Sequence, residues 1–443
     1  MRGRRSVLAL LLWGLSAYAG AETAPPPNIA IGESRLIRCG RLFESETGAV
    51  RSSVRVRVDT GRVVALEAVA ADAPVGAAEL DLRNYTCLPG LIDLHVHLTE
   101  RPEDTADLRV MFRRTRAEQR ALSAEHASAT VLAGFTSVRN VGAYIRGVDF
   151  ALRDAIDRRE TVGPRMQVSG FYLTIPGGGG DLLIPGTPAE ATPTFVRGGI
   201  ARGTEQFRRK AELALADGAD LLKVIASGAV LAYGGVPGAP EMNRAEIATV
   251  VEVAHARGRK VAAHAHGAQS IRDAILAGVD TVEHASLIDA EGIRLARETG
   301  TTLVMDVYNG DYIDTEGRKQ QWPEEFLRKN IETTEAQRQG FAAAQKAGVR
   351  LAFGTDAGVY PHGLNARQFH IMVERGMTPT EALQSATSTA ARAMGWENNV
   401  GSLAPGHYAD LIAVQGDPTV DIRLLESVPV VVQGGRILKA PAP

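Results

Sequence analysis

Five short segments gather residue types suited to metal-assisted chemistry. They are Asp93-Leu94-His95-Val96-His97, Leu221-Leu222-Lys223-Val224-Ile225, His264-Ala265-His266, Glu283-His284 and Gly354-Thr355-Asp356. Each is or closes a short apolar run. Side chains alternate along a strand, so Asp93, His95 and His97 share one face, as do His264 and His266. Two imidazoles on one face are placed to hold a metal ion, and zinc prefers imidazole and carboxylate oxygen. Four or five histidines and one aspartate at successive strand ends fit a two-metal hydrolytic site. Lys223 is the odd member. An ammonium in the middle of an apolar run is costly unless something pairs with it or neutralises it; the plain alternative is a lysine snorkelling to the rim.

Those segments need a scaffold that brings successive strand ends together. Between residues 88 and 400, apolar strand-like runs recur at 90–97, 136–141, 166–172, 221–227, 260–266, 281–286, 301–307 and 350–355. Helical patterns lie between them, for example at 244–257, 270–276, 290–298 and 334–347, and many stop at a glycine such as Gly258, Gly300 or Gly348. Eight β/α repeats predict an α/β fold of the (β/α)8 TIM-barrel type, with active groups at the C-terminal strand ends. The rival, an open doubly wound sheet, lacks a Gly-x-Gly-x-x-Gly turn after the first strand. Residues 22–87 and 401–443 read instead as short β-runs broken by Gly and charge. They are expected to join into one small β-sandwich domain built from both termini.

A net charge of −2 with 23% charged residues carries no basic stripe, which argues against a nucleic-acid partner. Residues 1–21 read as a signal peptide: Arg2, Arg4 and Arg5, then an apolar run from Val7 to Leu15, then Ala19-Gly20-Ala21. That run is shorter than the roughly 20 residues of a spanning helix. A periplasmic or secreted protein follows, with no membrane span in the mature chain; a retained N-terminal anchor is the alternative. Pro25-Pro26-Pro27 reads as a stiff linker. Cys39 and Cys87 lie in strand-like runs; an exported protein could join them, but two cysteines make no disulfide framework, and buried free thiols are the favoured expectation.

Pro89-Gly90-Leu91-Ile92-Asp93-Leu94-His95-Val96-His97, Lys223, His264, Glu283-His284 and Gly354-Thr355-Asp356, in that order and with barrel spacing, resemble the amidohydrolase superfamily. Val261-Ala262-Ala263-His264-Ala265-His266-Gly267 and Phe353-Gly354-Thr355-Asp356-Ala357-Gly358 carry a narrower likeness. It is to the imidazolonepropionase-like group, with its metal-dependent Xaa-Pro and Xaa-Arg dipeptidases and ochratoxin A amidohydrolases. The resemblance implies two divalent ions, zinc above all. His95, His97 and Asp356 would hold one and His264 and His284 the other, with Lys223 bridging as a carbamate. A bridging hydroxide would then attack while Asp356 moves its proton to the leaving amine.

Further residues carry weaker expectations. Asp93 is placed to orient an imidazole, and His266 to meet substrate or support a ligand. Tyr233 resembles a tyrosine set against the scissile carbonyl. Tyr360 and His362 are candidates for the mouth, and Phe171, Tyr172 and Tyr308 for an aromatic pocket beneath the long loop at 174–202. No role is transferred to Asn140, and His126, His255, His370 and His407 are expected to be structural or solvated. The implied activity is hydrolysis of an amide between an acyl group and a C-terminal amino acid: a dipeptide, an N-acyl amino acid or an ochratoxin A type substrate. Ester or lactone hydrolysis on the same scaffold is the alternative. A non-catalytic assembly protein would be expected to have lost ligand residues, and all are present. A small-molecule substrate and a homo-oligomer are expected.

Overall fold

The computed structural model describes residues 32–188 and 192–441. The expected signal peptide and residues 25–27 lie outside them. Eight parallel strands run through the middle of the chain: β5 (Leu91–Val96), β6 (Phe135–Asn140), β7 (Arg165–Val168), β8 (Leu221–Ile225), β9 (Lys260–Ala265), β10 (Thr281–His284), β11 (Thr302–Val304) and β12 (Leu351–Ala352). They form a three-stranded sheet, β5-β6-β7, and a five-stranded sheet, β12-β11-β10-β9-β8. Single parallel bridges, Leu173 to Val224 and Val96 to Ala357, link the two sheets at both edges. All eight expected strands are present in this α/β, TIM-barrel-type arrangement.

Helices follow the strands as the periodicity predicts, among them Gly203–Ala216, Arg244–His255, Ala268–Leu276, Ala290–Thr299 and Glu324–Lys346. Several carry their own start signal. Thr115 with Glu118, Asn243 with Glu246, and Thr378 with Glu381 each form a reciprocal capping box that satisfies two otherwise orphaned backbone donors.

The strands end earlier than the apolar runs suggest. His97, His266 and Asp356 lie beyond their strands, and the backbone turns left-handed at His284 (φ +66°), Ala285 (φ +47°) and Asp356 (φ +60°). Non-glycine residues seldom adopt that region, and such strain tends to gather at functional sites. At β10 the turn is tight: the Ala285 N–H donates back to the Glu283 carbonyl at 2.8 Å.

The terminal segments, β1 (Arg35–Phe43), β2 (Val50–Asp59), β3 (Arg62–Ala68), β4 (Glu79–Pro89), β13 (Leu411–Gln415), β14 (Val430–Gln433) and β15 (Arg436–Lys439), pair into one seven-stranded sheet. Alternation sets its faces. Val54, Val56 and Val58 turn inward with Ile37, Leu82, Leu411 and Val430 to form a core of their own. Inside it lies a correction. Cys39 and Cys87, expected as free thiols, are joined in a disulfide, with Cα atoms 6.0 Å apart. β1 and β4 run side by side as parallel neighbours, with a register shift between Cys39 and Arg41, and each carries one of the two cysteines. The pairing depends on these two strands lying side by side across a separation of 48 residues, which local sequence does not announce.

Candidate active site

The C-terminal ends of these strands surround an open cleft of about 1090 Å³ whose wall includes His95, His97, Lys223, His264, His266, His284 and Asp356. Neighbouring imidazole centroids in this group lie 4.6–5.3 Å apart. Ligand atoms of His264, His266 and His284 fall within 4.8 Å of one another, as do those of His95, His284 and Asp356. His266 thus stands among the candidate ligands rather than beyond them.

Four of the five rings are aimed by what their Nδ1 touches. His95 Nδ1 sits 2.9 Å from Glu283 Oε2, leaving Nε2 toward Asp356 Oδ1 at 3.4 Å. His97 Nδ1 faces the Gly142 carbonyl at 3.2 Å and the Tyr172 hydroxyl at 3.1 Å, while its Nε2 lies 3.2 Å from Asp356 Oδ1. His284 Nδ1 meets Asp306 Oδ1 at 2.9 Å, and His266 Nδ1 meets Ser286 Oγ at 2.8 Å. Partners of this kind set the tautomer and direct the free nitrogen to a metal. Two glycines make room for them. A Cβ on Gly354 would lie 2.2 Å from Val304 and 3.0 Å from the His95 Cβ, and one on Gly142 would lie 2.0 Å from the Tyr172 ring that covers His97.

Glu283 and Asp306 are in turn anchored. Arg139, 1% exposed, donates to Glu283 Oε1 at 2.7 Å, to the Leu94 carbonyl at 2.6 Å and to Thr281 Oγ1 at 3.0 Å. The Thr281 hydroxyl donates to the same carboxylate. Asp306 accepts from Gln337 at 2.8 Å and from Asn309. Asn140, at the end of β6, accepts from the Leu98 N–H at 2.8 Å and donates to the Gly142 carbonyl, holding the chain beyond His97.

The electrostatics suit neutral metal ligands at His264, His266 and His284, whereas the Asp356 carboxylate raises His97 against its burial. Burial, then the neighbouring His284, holds His264 and His266 well below the ordinary imidazole range, and burial brings His284 down to about 4. Burial also lowers Lys223 to about 8, with the Glu283 carboxylate opposing. The Lys223 ammonium is 2% exposed, and its Nζ has no hydrogen-bond partner among the described residues. An orphaned amine among neutral imidazoles and an aspartate is a donor set that fits a carbamate between two divalent ions. His95, His97 and Asp356 can hold one ion, and His264 and His284, with His266 beside them, the other.

Some expectations change. Asp93 orients no imidazole ring: it is fully buried and accepts from Thr355 Oγ1 (2.6 Å), Asn365 Nδ2 (2.8 Å) and the His95 and Thr355 backbone. Burial lifts its carboxyl to about 7 against those bonds, and its work is to tie β5 to the Asp356 turn. Tyr233 lies outside the cleft wall, packed on Phe326 with ring centroids 4.7 Å apart and beside the Leu108–Met111 cluster. Phe171, Tyr308 and Tyr360 are likewise absent from the wall. Tyr172 and Tyr144 supply the aromatic surface, and Gly179 and Gly180 bring the long loop to the edge. His362 is buried, its ring tilted against that of His126 with centroids 4.4 Å apart. His126, His255, His370 and His407 serve structural contacts. Sequence reading left Glu100, Tyr144, Arg139 and Asp306 without roles. Only the charge of Arg139 inside a strand gave any signal.

Comparisons with known proteins agree with this geometry. The amidohydrolase family matches residues 86–438. Ochratoxinase of Aspergillus niger is 30% identical over 433 residues, spanning 92% of this chain and 87% of that protein. Its crystal structure superposes with a TM-score of 0.82 at 27% identity, covering 93% of this chain and 97% of that one. A Xaa-Pro dipeptidase with methionine bound in its active site reaches a TM-score of 0.85 at 33% identity, covering 92% of this chain and 100% of that one. A prolidase complexed with N-methylphosphonate-L-proline reaches 0.84 at 28%, with 92% and 100% covered. This chain therefore belongs to the amidohydrolase family, in its dipeptidase and ochratoxinase group, and is a hydrolase of amide and peptide carbon–nitrogen bonds.

Proposed function

We propose that this enzyme uses two divalent ions, most naturally zinc, to cleave the amide between an acyl group and a C-terminal amino acid, as in dipeptides, N-acyl amino acids or ochratoxin A. The observation that carries the two-metal reading is Lys223 Nζ, buried and unpartnered amid five imidazoles and Asp356. Carboxylated, it exchanges a stranded cation for an anion matched to two dications. The substrate class is supported by the relatives: methionine, the ligand of one neighbour, is an amino acid, and the ligand of another is an L-proline derivative. When bound, the ions supply an activated water and a polarised carbonyl. Asp356, held by Asn309 at 3.3 Å, accepts the proton released by attack and passes it to the leaving nitrogen. His266 supports His264 and His284 and meets the substrate from the cleft wall. Tyr233 stands one layer behind that wall, packed on Phe326, and is given no contact with the scissile carbonyl.

The same reading takes the eight strands as a closed (β/α)8 barrel over residues 88–400, supported by the two edge bridges. The terminal sheet is taken as a sandwich folded about its own core, from 22–87 and 401–443. It places the mature protein in the periplasm or outside the cell, which the Cys39–Cys87 disulfide supports. No helix among the described residues is long and apolar enough to cross a membrane. A homo-oligomer completes the proposal; light scattering on the purified protein tests it, and fractionation with N-terminal mass spectrometry tests export.

The decisive experiment assays zinc-loaded enzyme on N-acyl amino acids beside their amides and matched esters. Cleavage of the acids well above the amides is expected. Equal rates on acid and amide would remove the carboxylate requirement, and cleavage of esters alone would favour the esterase alternative.

A further inference from the structure

The leaving amino acid needs a partner for its carboxylate, and the wall of the cleft offers few. Its charged groups are the candidate ligands, Glu100, Asp306 and one arginine, Arg101. Lys223 lies on the floor among the imidazoles, where a carbamate would remove its charge. Arg101 differs in kind. It follows His97 by four residues, in the loop that leaves β5, and its side chain is 36% exposed.

Arg101 is also held in place. Its Nε donates to Asp104 Oδ1 at 3.1 Å, and Asp104, 1% exposed, is gripped by Arg114 as well. A carboxylate fixed by two arginines is a built support rather than a chance surface contact. With Nε engaged, the two terminal amino groups of the guanidinium make no other hydrogen bond among the described residues. They form a planar fork, which suits a carboxylate taken through two parallel bonds. The neighbouring Glu100 makes no hydrogen bond or ion pair with the fork and instead accepts from the Tyr172 hydroxyl at 3.3 Å.

The same loop carries apolar groups. Leu108 and Met111 line the cleft a few residues after Arg101, and they pack with Leu182 and Ile184 from the long loop after β7. A cation and an apolar surface on one loop match the carboxylate and the side chain of a single hydrophobic amino acid.

We infer that Arg101 receives the carboxylate of the leaving amino acid, and that the loop after β5 is the element that selects this residue. This rests on the proposed function. The test compares kcat/KM for an N-acyl-L-phenylalanine and its carboxamide in zinc-loaded wild type, Arg101→Gln and Arg101→Lys. Wild type should prefer the acid. A charge-assisted pair lost from a partly enclosed site should lower that preference about 100-fold in Arg101→Gln, mainly through KM, and about 10-fold in Arg101→Lys, which keeps the charge without the fork. A merely structural role would lower both substrates together and leave the ratio intact. Should Arg101→Gln fail to fold, the ratio in Arg101→Lys decides. An acid preference that survives in the variants overturns the assignment of Arg101 while leaving the proposed function standing. A wild type without acid preference overturns both.

Discussion

Replacing Glu283 with glutamine tests how this site is held together. Glu283 is wholly buried and joins two groups: Oε1 accepts from Arg139 at 2.7 Å, and Oε2 meets His95 Nδ1 at 2.9 Å. Opposite charges with centres about 4 Å apart interact by about 4 kcal/mol at an effective dielectric near 20. Breaking a buried pair by removing one partner costs about 3–5 kcal/mol, because the other charge is left stranded. Glutamine keeps the shape but not the acceptor pattern. Its amide NH₂ must face either Arg139, donor against donor, or His95. In the second case Nδ1 becomes the acceptor, and the imidazole proton moves to Nε2, the nitrogen that faces Asp356. A protonated Nε2 cannot ligate a metal, and losses of such partners weaken metal affinity about 10–100-fold. Urea unfolding of chelator-treated Glu283→Gln should therefore show a loss of about 3–5 kcal/mol, and zinc titration at buffered free metal should show the weaker binding. The double variant Arg139→Met, Glu283→Gln removes the stranded cation, so it should recover part of the stability and none of the affinity. A single variant within about 1 kcal/mol of wild type that binds zinc unchanged would refute the account.

Lys223→Ala should lose the second metal and most activity, with partial rescue by short carboxylates; Lys223→Arg should show no rescue, since guanidinium stays cationic. Near-normal turnover of Lys223→Ala would mean the lysine is structural. Elemental analysis of protein purified without chelators should give about two equivalents of metal, and chelation should lower the unfolding midpoint, because metal held by the native state alone stabilises it. Asp149, fully buried and accepting from the Gly170 N–H, has its carboxyl lifted by burial to about 6. A carboxyl raised on folding binds its proton more tightly in the native state, so its contribution is full below the unfolded value near 4 and declines as pH rises to about 6. That slope amounts to about 3 kcal/mol. Metal-free Asp149→Asn should lack it when unfolding is compared at pH 4 and pH 7, and an identical pH profile would count against the shift. Tyr233→Phe, behind the cleft wall, should leave kcat and KM nearly unchanged, whereas a hydroxyl acting on the transition state would lower kcat more than it raised KM. A clear drop in kcat would overturn its placement behind the wall.

The part of this site legible in the sequence is the part governed by short-range rules. A period of two puts His95 with His97 and His264 with His266, whatever the rest of the chain does. An apolar strand around Lys223 announces a buried amine before any neighbour is known. Repeated β/α alternation with glycine-stopped helices orders the eight strands, so the ends that carry these residues are bound to meet. What needed the tertiary structure is every relation across a long separation. Arg139 and Glu283 are 144 residues apart, and Asp93 and Asn365 are 272 apart. Their pairing follows from packing around the sheet, which no local pattern encodes. The disulfide depends on the pairing of β1 with β4, the strand ends on a few left-handed residues, and the cleft wall on loop paths that took Tyr233 behind it and set Tyr144, Tyr172 and Arg101 along it. Backbone alternation is decided within a strand, but a side chain's partners are decided by which elements the whole fold brings within 3 Å.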